Sequence, residues 1–184
     1  MSAEIADGSE AMPSLGELPF LPYIDGEGLL PAVTEGTIGI YAIFDADRAL
    51  QYVGYSRNTA ASLAQHLVRQ GDRCHWLKFH PITRPSRSIL EAIRDRWIAD
   101  QDRPPPGNGP DADVWENPIN AAIAFNDAER AAIANADTEA ARAKAIKQAT
   151  RRIEAMILEP LTQRGVTIPL RFNPKLKERG LLDL

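Results

Sequence analysis

The sequence predicts an α/β (α+β) fold, a small three-stranded antiparallel sheet flanked by helices and followed by a helical C-terminal extension. Three observations predict it. Two short runs, 38–44 and 50–55, are rich in β-branched and aromatic residues, which pack well on a pleated surface. The polar segment Asp45-Ala46-Asp47-Arg48 between them has hairpin-loop length. Apolar residues then recur at helical spacing over 58–70 and over 86–100, on either side of a third apolar run.

The 184 residues divide into an acidic N-terminal arm (1–35), an α/β domain (36–110) and a helical extension packed on it (111–184). The arm is punctuated by Pro and Gly, and its apolar patch 18–23 is expected to lie extended against the domain. In the hairpin, symmetric closure places Tyr41 opposite Tyr52 on one face. Asn58 or Thr59 caps a first helix that ends at Gly71, with Leu63, Leu67 and Ala60 inward. Residues 75–82 alternate in part and read as the third strand. Pro85-Ser86 opens a second helix to Asp100, with Ile89, Leu90, Ile93 and Trp97 as its apolar stripe. After the Pro/Gly-rich loop 104–110, Asn117-Pro118 starts one helix. Asp137-Thr138-Glu139 starts another, which runs to Glu159 with Ile146, Ile153 and Ile157 inward. The tail 170–184 alternates basic and apolar residues, as a segment that packs back or meets a partner would.

Composition narrows the function classes. One cysteine, Cys74, leaves no internal disulfide and no cysteine metal site. The acidic start is neither a secretory leader nor an Arg-rich transit peptide, and no apolar run approaches the ~20 residues that span a bilayer. These features predict a cytoplasmic protein. The net charge of −4 is unevenly placed: nine acidic residues and no Lys or Arg precede Arg48. Residues 57–98 hold eight basic and three acidic residues, a local net of +5. Such a surface serves phosphate binding or is simply a set of solvated helix faces.

Gly39-Ile40-Tyr41 followed by Tyr52-Val53-Gly54 resembles the signature of the GIY-YIG nuclease superfamily, with Val for Ile in the second triplet. Without that resemblance the two tyrosines read as an aromatic cross-strand pair that stabilises a hairpin. Within the superfamily the chain looks most like the nuclease-like N-terminal domain of chloroplast monothiol glutaredoxins, through Tyr41-Ala42, residues 52–62 and residues 105–108. The resemblance covers residues 36–110 and implies a metal-dependent DNA endonuclease that hydrolyses phosphodiester bonds. On that pattern Tyr41 is the general base and Tyr52 its partner near the attacking water. Glu91 binds one Mg²⁺ or Mn²⁺, and otherwise is a helix residue pairing with Arg87 or Arg94. Asn108 matches a family asparagine or is a turn residue. The helical arginine of the family falls at Ser62, which brings no charge and no fork. Arg57 is the expected replacement, with Arg69 two turns beyond Ser62 a poorer one. Arg57, Arg69 and Arg87 are the expected nucleic-acid contacts. His66, one turn after Ser62, either faces the site or packs half-buried. The alternative function is a catalytically impaired module of the same fold. It would bind nucleic acid or a protein partner through its basic face or C-terminal helices.

Overall fold

Alternating side chains give the central strands two apolar faces, and both are covered. The structure is a computed structural model and describes residues 13–184; the opening of the acidic arm, residues 1–12, lies outside the described residues. In chain order the elements are β1 (Leu21–Pro22), β2 (Gly39–Phe44), β3 (Leu50–Ser56), α1 (Thr59–Arg69), β4 (Trp76–Pro81) and α2 (Arg87–Ala99). They continue with α3 (Ala112–Glu116), β5 (Ile119–Asn120), α4 (Asp127–Ala134), α5 (Glu139–Gln163), α6 (Pro174–Lys177) and β6 (Leu181–Leu182). The main sheet is antiparallel, in the order β1-β4-β2-β3. Tyr41, Ile43, Tyr52 and Leu77 face α1 and the C-terminal extension, while Ile40, Ala42, Phe44 and Val53 face α2 and Leu15 of the arm. Burial on both sides explains why β2 is apolar without alternation.

The sheet has four strands rather than three, because part of the arm pairs with β4. Pro22 fits there since an edge position spares it a ladder donor. Tyr23 follows it into the core and donates its hydroxyl to the Leu63 carbonyl at 2.8 Å. The hairpin register also differs from the symmetric one. Tyr41 lies opposite Gly54, and Tyr52 opposite Ile43. Two local features cause this. Asp45 Oδ1 accepts from the Asp47 and Ala49 amides, with Arg48 in a left-handed turn at φ 62°, and the ladder is interrupted between Ile43 and Phe44. The shift is two residues, so both tyrosines stay on one face.

Helix boundaries follow their caps. Asn58 accepts from Ala61 N–H and Ser86 from Ile89 N–H. Ile89 itself is exposed, leaving Leu90, Ile93 and Trp97 as the buried stripe of α2. Asn117-Pro118 does not start a helix. It leads into β5, which pairs with β6, and the helix begins at the Asn126–Glu129 capping box. The long helix runs through Pro160 to Gln163, because Leu161 is buried and Arg164 donates to the carbonyls of Gly71 and Cys74. Among the described residues no helix is long and apolar enough to cross a membrane, and Cys74 is a buried free thiol.

The extension shares one core with the sheet: Trp115, Phe125, Ile153, Phe172 and Leu182 cluster with Tyr41, Leu63 and Leu67. Arg69 fastens the two parts. Its Nη2 meets Asp183 Oδ1 at 2.7 Å, and its Nη1 donates to the Trp115 carbonyl at 2.8 Å.

Asn108 completes the outer edge of the sheet. Its Oδ1 accepts from Val53 N–H at 2.7 Å, and its Nδ2 donates to Val53 O at 2.8 Å. The side chain therefore acts as a one-residue strand, which is more than a turn residue does. Asn108→Asp removes the donor and sets an anion against the carbonyl. It should lower unfolding free energy by about 1–3 kcal/mol, the cost of an unsatisfied buried group. Urea unfolding with an unchanged m-value would measure this; unaltered stability would show that Val53 is satisfied otherwise.

Candidate functional site

The paired triplets build the site from β2 and β3. Tyr41 and Tyr52 are diagonal neighbours with ring centroids 6.3 Å apart. Both motif glycines are sterically required. A Cβ on Gly54 would lie 2.8 Å from the Tyr41 hydroxyl and 2.6 Å from the Tyr52 ring. A Cβ on Gly39 would strike the His80 carbonyl and the Phe79 ring.

α1 brings His66 onto this pair, and α3 closes it with Trp115. Tyr41 Oη and His66 Nε2 are 3.0 Å apart. Tyr52 lies 4.7 Å from the His66 ring and stacks on Trp115 at 5.1 Å with an interplanar angle of 5°. His66 Nδ1 is buried and has no hydrogen-bond partner among the described residues. The Trp115 carbonyl near the ring is held by Arg69. Tyr41 Oη and His66 Nε2 share one hydrogen bond, whose donor is set by the imidazole tautomer.

Burial dominates the electrostatics. It pushes the Tyr41 phenol well above its ordinary pKa, helped by the neighbouring Tyr52 and opposed by the Ser62 hydroxyl and the Arg69 charge. Burial, then the Glu116 carboxylate, raises Tyr52 as well. Burial, then the Arg69 charge, lowers His66 to about 3. Both tyrosines and the imidazole are therefore neutral at pH 7.

Beside the pair, a cleft of about 560 Å³ runs along the open edge of β3. Tyr52, Arg94, Asp95, Asn108 and Glu116 line it together with Tyr55. Tyr52 Oη donates to Glu116 Oε1 at 3.4 Å.

The sequence-predicted residues divide on this frame. Tyr41 and Tyr52 come together. Glu91 does not line the cleft, since Tyr55, on the opposite sheet face from Tyr52, intervenes. The Tyr55 hydroxyl and Arg87 Nε both donate to Glu91 Oε1, at 3.1 and 2.8 Å, and hold its carboxyl below the usual range, Arg87 more than Tyr55. Arg87 is exposed, so this ion pair is worth little and opens easily. Among the described residues no three His, Cys, Asp or Glu side chains are grouped to hold a metal. What fits is a hard ion that keeps most of its water and takes one carboxylate, Glu91. Arg57 is exposed on the loop between β3 and α1 and is absent from the cleft lining. Arg69 is corrected outright: it is buried in its pair with Asp183 and cannot reach nucleic acid.

His66 is half legible in sequence, one turn after Ser62. Glu116 and Trp115 carry no sequence signal, because they come from a short helix far along the chain. Arg94 and Asp95 were detectable as the next turn of α2 after Glu91.

The chain is similar to a plant glutaredoxin. It is 32% identical over 104 residues to the bifunctional monothiol glutaredoxin-S16, chloroplastic, of Arabidopsis thaliana. The alignment takes in 54% of this chain and 34% of that protein, so the chain spans about a third of its relative. No protein-family model matches the chain.

His66 makes acid stability a readout of the site. Its folded pKa of about 3 lies below the ordinary 6.5, so between these values the unfolded chain binds a proton that the fold refuses. Its contribution is present above pH 6.5 and is lost as pH falls toward 3. The slope from this one group approaches ~1.4 kcal/mol per pH unit. His66→Gln should flatten that slope in denaturation measured across the window, and the His66 ring resonances should stay pH-independent from neutrality down to the acid limb. A normal imidazole titration would contradict the buried neutral ring.

Proposed function

We propose that this chain is a GIY-YIG-type, metal-dependent DNA endonuclease of low activity. The observation that supports this best is steric. The two triplets lie on adjacent strands with their tyrosines on one face, Gly54 makes room for both rings, and Gly39 makes room for β4 at His80 and Phe79. Similarity to the plant glutaredoxin over 54% of the chain is compatible with a module of this type.

In hydrolysis, water attacks phosphorus, the bond to the leaving oxygen breaks, and the water proton must go to a base. Tyr41 can take that proton only if its own is passed on, and His66 Nε2 at 3.0 Å is the acceptor in reach. An imidazole held near 3 accepts reluctantly at neutral pH, which accords with a slow enzyme. Glu91 would hold Mg²⁺ or Mn²⁺ on the opposite sheet face from Tyr41 and Tyr52, so the substrate has to cross the β3 edge for the ion to neutralise developing phosphate charge. Arg57 and Arg87 remain the phosphate contacts; Arg69 does not.

Ser62 favours a second reading. Its hydroxyl donates to Ser56 Oγ at 2.7 Å and also touches the Tyr41 phenol, so an uncharged group stands where the superfamily carries a guanidinium. On this reading the fold binds DNA or a protein partner without cutting.

Nicking of supercoiled plasmid with Mg²⁺ or Mn²⁺ separates the two. The endonuclease reading expects slow nicking, lost in Glu91→Ala. Ser62→Arg should raise it roughly tenfold or more, given the ~10³-fold worth of a charge-stabilising arginine in phosphoryl transfer. No nicking by the folded wild type or by Ser62→Arg would leave the second reading standing.

A further inference from the structure

Charge divides the chain in a way that the cleft does not use. Residues 139–184 carry ten Lys and Arg against five Asp and Glu, a net of +5. The first 138 residues carry eleven against twenty, a net of −9.

The fold gathers part of this excess onto one surface. Lys144, Lys147 and Arg151 follow at i, i+3 and i+7, so they share one face of α5. α6 lies along that face, fixed by Lys147–Glu178 at 2.9 Å and Lys177–Glu154 at 2.6 Å. Arg142 lies about 180° around α5 from Arg151, so the apolar groove of about 340 Å³ that it lines with Arg179, Phe125, Ile133 and Ile146 belongs to another face. Of the five cations on the α5–α6 surface, Lys147 and Lys177 are neutralised by Glu178 and Glu154. Lys144, Arg151 and Lys175 are exposed and have no ion pair among the described residues.

The surface lacks what a protein partner would grip. Protein interfaces are centred on buried aromatic and apolar anchors. The exposed large apolar residue of α5 is Met156, five positions from Arg151 and so about 140° around the helix at 3.6 residues per turn. Cations without apolar anchors suit a phosphate backbone, where affinity comes from counterion release.

We propose that the α5–α6 surface is a second nucleic-acid contact, which grips the phosphate backbone of duplex DNA without reading its sequence. It extends the endonuclease reading by holding the substrate outside the cleft. The shared core and the Arg69–Asp183 pair fix its orientation to the cleft.

The test reads binding alone. A fluorescein-labelled short duplex is titrated with the full-length protein by anisotropy across a series of KCl concentrations. The comparison is with Lys144→Gln/Arg151→Gln/Lys175→Gln, whose fold is checked by thermal melting. The triple variant should bind at least about tenfold more weakly at low salt, and its log–log salt slope should fall by about three, close to one per lost phosphate contact. Unchanged affinity and slope overturn the proposal. Equal displacement of the duplex by polyglutamate also overturns it, since the surface would then take any polyanion. Plasmid nicking is scored separately. If binding depends on the three cations while wild type never nicks, the surface stands and the endonuclease reading fails. If nicking persists while binding ignores them, the reverse holds.

Discussion

The Arg69 guanidinium is the joint of this molecule. It is 6% exposed, it faces Asp183 from the end of the chain, and it holds the backbone of α3 at Trp115. Burying a cation is costly, and removing one partner of such a pair strands the other, typically at ~3–5 kcal/mol. The arrangement survives because both Nη groups are satisfied. Its consequence is positional. Trp115 is pinned over Tyr52 and His66, so the C-terminal tail takes part in shaping a site built on the first hairpin.

That joint also explains what the sequence concealed. Local signals located the strand runs 38–44 and 50–55 to within a residue, the helix starts at Asn58 or Thr59, at Ser86 and at Thr138, and the shared face of Tyr41 and Tyr52, because each depends on a few neighbouring residues. Arg69 read as an available phosphate contact because nothing near it in sequence announces Asp183. The fourth strand and the closure by Trp115 and Glu116 depend on partners brought in from a distance, whereas the hairpin interruption comes from the local Asp45 turn, which a symmetric closure leaves out. Pro160 shows the same limit in reverse: a local breaker is overruled by the burial of Leu161. Glu91 was legible as an isolated carboxylate on α2, but its separation from the tyrosines by the sheet was not.

The central chemistry sits under a conflict between packing and charge. Stacking Trp115 on Tyr52 and covering Tyr41 give a dry aromatic cluster that stabilises the fold. The same dryness opposes phenolate and imidazolium. Charge therefore has to be supplied at the margin, by groups such as Arg57, Arg94 and Glu91, or by the substrate and its ion. Ser62 and His66 both meet the Tyr41 hydroxyl from α1, and Ser62 brings no charge there.

The double hydrogen bond from Asn108 to Val53 has a meaning beyond holding a loop. β3 is a lateral strand with no strand neighbour on its outer side among the described residues, and bare lateral strands invite pairing with other chains, domain exchange and fibril growth. The amide and carbonyl of Val53 lie at the middle of that margin, where an incoming strand would have to register. They are already engaged by a side chain that presents one donor and one acceptor and then stops. Gly107 lets this segment lie flush against Gln51, since any Cβ there would sit 2.8 Å from the Gln51 carbonyl and from the Trp115 ring. The margin stays open to a small or flexible ligand through the neighbouring cleft while being closed to the templated addition of a further strand.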